Sequence, residues 1–196
     1  PIVTMGAATT AAYTITLKMV NDEEGYIAGP FWKEFKANLK KGSILGVIAL
    51  FACYAVYLDF QLYHVAKQHN MMFLIVGVIG IYLIFMHIVF AFPLLARYEN
   101  SIVNTMRNSY SIAAKFLGRT AFLAVLLVIE MAIILWNLTT MFAGLLIGPA
   151  CIILTISGFA NSFFTVIERE NLMAEQEEKE STHLNGEPIS GDEDDI

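Results

Sequence analysis

The chain is poor in charge and in cysteine, and each shortage excludes something. Only 15% of its 196 residues are Asp, Glu, Lys or Arg, against about 25% in soluble domains. With 57% apolar residues and a mean hydropathy of +0.60, the excess falls in runs too long for soluble core helices. That excludes an ordinary soluble domain and points to an all-α polytopic membrane bundle. The two cysteines, Cys53 and Cys151, sit in apolar runs without CxxC spacing. A disulfide framework is therefore excluded, and both thiols are expected to be small packing residues of the core. The four histidines, at 64, 69, 87 and 183, lack ligand spacing, so no metal or other cofactor is expected. There is no phosphate-binding GxxxxGK[ST], no GxGxxG after a strand, no HExxH and no GxSxG. No catalytic residue is assigned, and the chain is not expected to be an enzyme. No basic tract with interleaved aromatics occurs, which excludes a nucleic-acid partner.

The net charge of −6 belongs to the C-terminal end. Eleven of the 18 acids lie between Glu168 and Ile196, opposed there only by Arg169 and Lys179. The first 167 residues keep ten Lys/Arg against seven Asp/Glu and are slightly basic.

Along the chain, Pro1–Leu17 is uncharged and rich in Gly and Ala, as closely packed membrane helices are. It predicts a short helix over 5–20 of about 25 Å, with a re-entrant or surface-lying helix as the alternative. Its lack of a basic start argues against a signal peptide, and the opening is expected to continue a helix upstream. Next, GPFWKEFKANLKKG predicts an interfacial helix over 30–41, with Pro30 at its first position and Gly42 past its end. Phe31, Trp32, Phe35 and Leu39 share one narrow arc and the lysines avoid it, the pattern of a helix lying on a membrane. Full spans are predicted over 43–66, 71–95, 119–138 and 142–168. A second surface helix is predicted over 99–117, and an acidic disordered tail over 171–196. The surface-helix-then-span unit thus occurs twice, in the same orientation. Lysines and arginines crowd one side of the membrane and only Lys67 falls on the other, so the 20–42 region, the elbow between the second and third spans, and the C-terminus are expected to be cytoplasmic.

Three ionisable residues fall inside spans, where such groups are functional candidates by default: Asp59, His87 and Glu130. Glu130 lies about 16 Å along its helix from Arg119, and His87 about 12 Å from Leu95. These depths allow the two to pair across neighbouring helices. A proton- or cation-linked path is the functional reading, and interhelical hydrogen bonding is the structural one. Gly144 and Gly148 form a GxxxG contact motif, with Pro149 beside it as an expected kink. The densest polar cluster is Arg97-Tyr98-Glu99-Asn100 in the elbow. Glu99 is expected at the start of the elbow helix, favoured by the helix dipole, where it could staple that helix to the lysines of 33–41. The alternative is a surface read by a partner.

The segments PIVTMGAATTAAYTITLKMVNDEEGY, FWKEFKANLKKG and PLLARYENS together resemble the YesL-like family of bacterial membrane proteins, a family of unknown function. The resemblance runs to about residue 170. It implies a further helix upstream, both ends cytoplasmic, and a plasma-membrane location in a Gram-positive bacterium. It also implies a role accessory to carbohydrate uptake, with a carbohydrate ABC importer or a sensor kinase as partner besides the lipid bilayer. It supplies no catalytic residues. A small proton- or cation-linked transporter is the alternative reading of the chain.

Overall fold

In a computed structural model, residues 4–23, 25–65, 71–98 and 100–184 are described, and every regular element among them is helical. The order is α1 (Met5–Val20), α2 (Ala28–Ala37), α3 (Leu39–Val65), α4 (Met71–Met86), a π-helical turn (His87–Ala91), α5 (Phe92–Arg97), α6 (Ile102–Lys115), α7 (Leu117–Ile134) and α8 (Leu138–Leu184). Four stretches are long and apolar enough to cross a membrane: Leu39–Val65, Met71–Arg97, Leu117–Ile134 and a part of Leu138–Ser181. Chain contacts divide the molecule into two units, Pro1–Ala160 and Asn161–Ile196.

Helix α1 is the centre of the first unit. Gly6, Ala7, Thr10, Ala11, Tyr13, Thr14, Ile15 and Leu17 are all buried. Small side chains make this possible by letting backbones meet. A methyl group built on Gly6 would lie 2.1 Å from the carbonyl oxygen of Gly42. One on Gly46 would lie 3.0 Å from Cα of Gly6. Gly42 is thus not the residue after a surface helix but a buried position inside α3, and Gly42/Gly46 is the GxxxG pair that α1 occupies. The threonines of α1 satisfy their hydroxyls locally. Thr10 Oγ1 donates to Gly6 O at 2.9 Å and Thr14 Oγ1 to Thr10 O at 3.2 Å, which removes the cost of burying them. Thr16 goes further and shares a 2.6 Å hydrogen bond with Ser157 of α8.

The π turn interrupts the second span for a reason visible in the sequence. Pro93 has no N–H, and in a regular helix its ring would press on the carbonyl of Val89. Widening the turn at His87–Ala91 relieves that contact. The expected span 71–95 therefore runs to Arg97, about 40 Å along its axis.

Other boundaries differ from expectation in the same physical way. Helix α2 ends at Ala37 rather than residue 41. Asn38 forms a one-residue joint, its side-chain amide donating to Glu34 O at 3.3 Å, and α3 starts at Leu39. The elbow helix begins at Ile102, not 99, because Ser101 caps it by accepting from Asn104 N at 3.3 Å. Phe116 is the second one-residue joint, with Lys115 Nζ 5.6 Å and the Arg119 guanidinium 5.8 Å from its ring centroid. The third span closes at Ile134, and Asn137 starts α8 by accepting from Thr140 N at 2.9 Å. Helix α8 passes Pro149 without a break and continues to Leu184, well beyond the predicted end at 168. The start of the expected disordered tail is helical because AEQEEKE consists of strong helix formers and places Glu175 four residues before Lys179. Residues 185–196 lie outside the described residues.

Candidate functional site

Helices α3 and α4 line a cleft of about 390 Å³ in the first unit. One stripe on each helix lines it. On α3 this is Ile48, Ala52, Ala55 and Asp59, and on the second span Val76, Gly80, Leu83 and His87. Both stripes recur every three or four residues, so each is a single helix face. The alanines and Gly80 leave the space open. A methyl built on Gly80 would sit 2.5 Å from Val56 Cγ2, so the walls touch there. Met106 and Tyr110 of α6 close the end at His87. Burial pushes the Tyr110 phenol above its ordinary range and keeps it a hydroxyl donor.

Two of the three intramembrane candidates, Asp59 and His87, therefore share one cleft. The third does not. His87 is 3% exposed, and its Nε2 lies 3.2 Å from the carbonyl oxygen of Leu45. A carbonyl only accepts, so Nε2 carries the hydrogen. In the neutral ring Nδ1 is then an acceptor, and it is buried with no hydrogen-bond partner. Phe92 supports the ring edge-on at 5.9 Å. The pairing of His87 with Glu130 that their depths allowed is not formed. Glu130 accepts instead from the Thr155 hydroxyl of α8, while its Oε2 is buried and unpartnered. Glu130 lines a separate cleft of about 380 Å³ between α7 and α8, with Gly144, Gly148 and Cys151. Ile134 fills the GxxxG face there, its Cγ2 within 2.6 Å of a methyl built on Gly144. Equal depth did not make the two residues neighbours. Cys53 and Cys151 are both free and exposed, which corrects their expected place in the core. On helices facing a bilayer they need no polar partner.

At the elbow, Arg97 stacks its guanidinium on the Tyr98 ring at 5.9 Å. Arg97, Tyr98 and Asn100 are half-buried, for α5 packs on α1. Glu99, and with it the expected staple to the lysines of 33–41, lies outside the described residues. The elbow helix was expected to be a surface helix, and the structure adds which residues of α6 form its outer face. Thr105, Ser109, Ile112 and Ala113 are buried, whereas Val103, Asn104, Arg107, Asn108, Ser111 and Lys115 are exposed. Its 3.6-residue alternation was the available signal.

Residues 1–60 match the family model described as "Protein of unknown function, DUF624", which agrees with the YesL-like resemblance, since YesL-like families are DUF624 members. No curated protein and no solved structure matches the chain.

Proposed function

Taking the DUF624 domain over residues 1–60 as the premise, we propose that this chain is a multi-pass plasma-membrane protein of a Gram-positive bacterium that acts without catalysis, accessory or regulatory to carbohydrate uptake. Its elbow and C-terminus face the cytoplasm, where a carbohydrate ABC importer or a sensor kinase reads it. The observation that carries this reading is the form of α6. Its inner face is anchored on the π turn, while Arg107, Asn108, Ser111 and Lys115 on its outer face are exposed. A docked helix with an exposed polar face is suited to recognition, because little ordering entropy is lost when a partner binds. Tyr98 and Asn100 lie just before that helix in the chain. Helix α2 buries no residue, and its Trp32–Phe35 stack, 5.3 Å between ring centroids, is left for lipid. Lys36 reaches over Trp32 at 5.4 Å, toward anionic headgroups.

The test is affinity purification of the full chain from its native membrane. Importer or kinase subunits are expected to co-purify, and the double variant Arg107→Glu/Lys115→Glu is expected to reduce their recovery about tenfold or more with the bundle intact, the size expected when two interfacial charges are reversed. Equal recovery with the variant would remove α6 as the recognition surface.

One observation favours a second reading, cation-linked transport: Asp59 and His87 face the same cleft. Its discriminating result is flux in reconstituted vesicles that is lost on neutralising these residues. Apart from the Tyr110 hydroxyl the rest of the cleft lining is apolar, and Glu130 is outside it, which weakens a continuous relay.

A further inference from the structure

Helix α2 and the first turn of α3 sort their charges between two sides. Trp32, Lys33, Lys36, Leu39 and Lys40 are exposed, whereas Phe31, Glu34, Phe35 and Asn38 are half-buried. The half-buried side follows from the packing of α2 on α1. Glu34 is the only acid between residues 25 and 41. Its carboxylate accepts from the Asn38 side-chain amide at 3.4 Å, on the half-buried side. The exposed face therefore carries three positive charges, at Lys33, Lys36 and Lys40, and no negative one. Beside them stands an apolar flank, Leu39 and the 55% exposed Trp32. The Trp32 ring stacks on Phe35 at 5.3 Å, and Lys36 Nζ lies 5.4 Å from its centroid.

Both ends of α2 are tied to membrane level. Asn38 alone joins it to α3, a candidate span of 27 residues. Lys40 and Lys41 place the first turn of α3 at the headgroups, because ammonium groups stay out of the hydrocarbon. At the other end, Ile27 and Pro30 line a cleft together with Leu154, in the stretch of α8 that carries no charge before Glu168. A helix of ten residues, about 15 Å long, that is fixed in this way at both ends lies along the membrane surface. Tryptophan favours that depth, and the lysines beside it meet the charge of the surface. Zwitterionic headgroups leave three ammonium groups without a counter-charge, and acidic headgroups supply it.

We infer that this face binds acidic phospholipids of the leaflet it lies on, gathering them around α2 in preference to zwitterionic ones. The inference rests on the lipid contact of α2 proposed above and is independent of any partner of α6. The test uses the full chain with Trp136→Phe, which leaves Trp32 as its one tryptophan. The chain is reconstituted in vesicles of equal parts phosphatidylglycerol and phosphatidylcholine, with brominated acyl chains on one lipid or on the other. Quenching of Trp32 fluorescence reports which lipid adjoins it. Phosphatidylglycerol is expected to be enriched about fivefold or more around Trp32, the factor that a single lysine contributes at an anionic surface. Salt at about 1 M, which shortens the screening length to about 3 Å, should bring the ratio close to one. So should Lys33→Gln/Lys36→Gln/Lys40→Gln. The control is Trp32→Phe with Trp136 as reporter. Residues 120–168 contain no Lys or Arg, so Trp136 should show no preference. Equal quenching of Trp32 by the two brominated lipids overturns the inference and leaves the lipid contact standing. Absence of quenching by either overturns both and assigns the face to water or to a protein. A preference that persists in the triple variant overturns the role given to these lysines.

Discussion

Gly6→Ala is expected to cost at least about 3 kcal/mol, the upper end for overpacking a filled interior. The added methyl would meet the Gly42 carbonyl oxygen at 2.1 Å, with Cα of Gly46 only 3.0 Å away. Both neighbours are backbone, so no side chain can swing aside and the helices must separate. Separation would also disturb what α1 holds together, including the Thr16–Ser157 hydrogen bond. The measurement is a melting curve in detergent, read by size-exclusion after heating. A midpoint lower by about 6 °C or more is expected, at 2–4 °C per kcal/mol for a chain of this size. Gly118→Ala is the internal control. It lies in α7, and nothing stands within 4 Å of the new methyl, so the substitution should stabilise by up to about 1 kcal/mol through helix propensity. A Gly6→Ala midpoint equal to the parent's would mean that α1 does not pack on α3 in this way.

Phe90→Ala should cost about 3 kcal/mol, the low end for removing a buried phenylalanine, because lipid competes for the same apolar surface when helices part. Phe90 is fully buried inside the π turn on which α6 rests. Its loss should therefore have a local signature beyond a lower midpoint. Amides of 102–115 should exchange faster with deuterium than in the parent, while those in the middle of α3 stay protected. Phe51→Ala is the contrast, since Phe51 is 71% exposed and its removal should be near neutral. Unchanged exchange in α6 after Phe90→Ala would show that the π turn is not its platform.

What the sequence could reveal follows from range. Period and length are local, so the four spans and both amphipathic helices were legible. Capping chemistry is local too. Ser101 and Asn137 lie next to the apolar runs they introduce and could have set the starts of α6 and α8, had they been given more weight than the distance between charges. Composition misled at the C-terminal end, where few aromatics suggested disorder although Glu, Gln, Ala and Lys favour helix. Gly42 misled differently. A glycine after a lysine-rich amphipathic segment fits a helix stop, and only the tertiary approach of Gly6, distant in sequence, shows that it serves close packing. The same limit explains His87. Its depth followed from counting residues, but depth does not say which helix is adjacent, and its partner proved to be a carbonyl of α3 rather than Glu130. Pro93 was the overlooked local clue, since it explains why the helix widens where His87 and Phe90 are found.

The central claim is the placement of the elbow and α6 on the cytoplasmic face, opposite the turn that starts α8. It is tested most directly by thiol labelling in intact cells. With Cys53 and Cys151 replaced by serine, single cysteines are introduced as Asn108→Cys on exposed α6 and Leu138→Cys at the start of α8. A membrane-impermeant maleimide should label Leu138→Cys in intact cells and Asn108→Cys only after the membrane is opened. Labelling of Asn108→Cys from outside, or of both positions from the same side, would contradict the account.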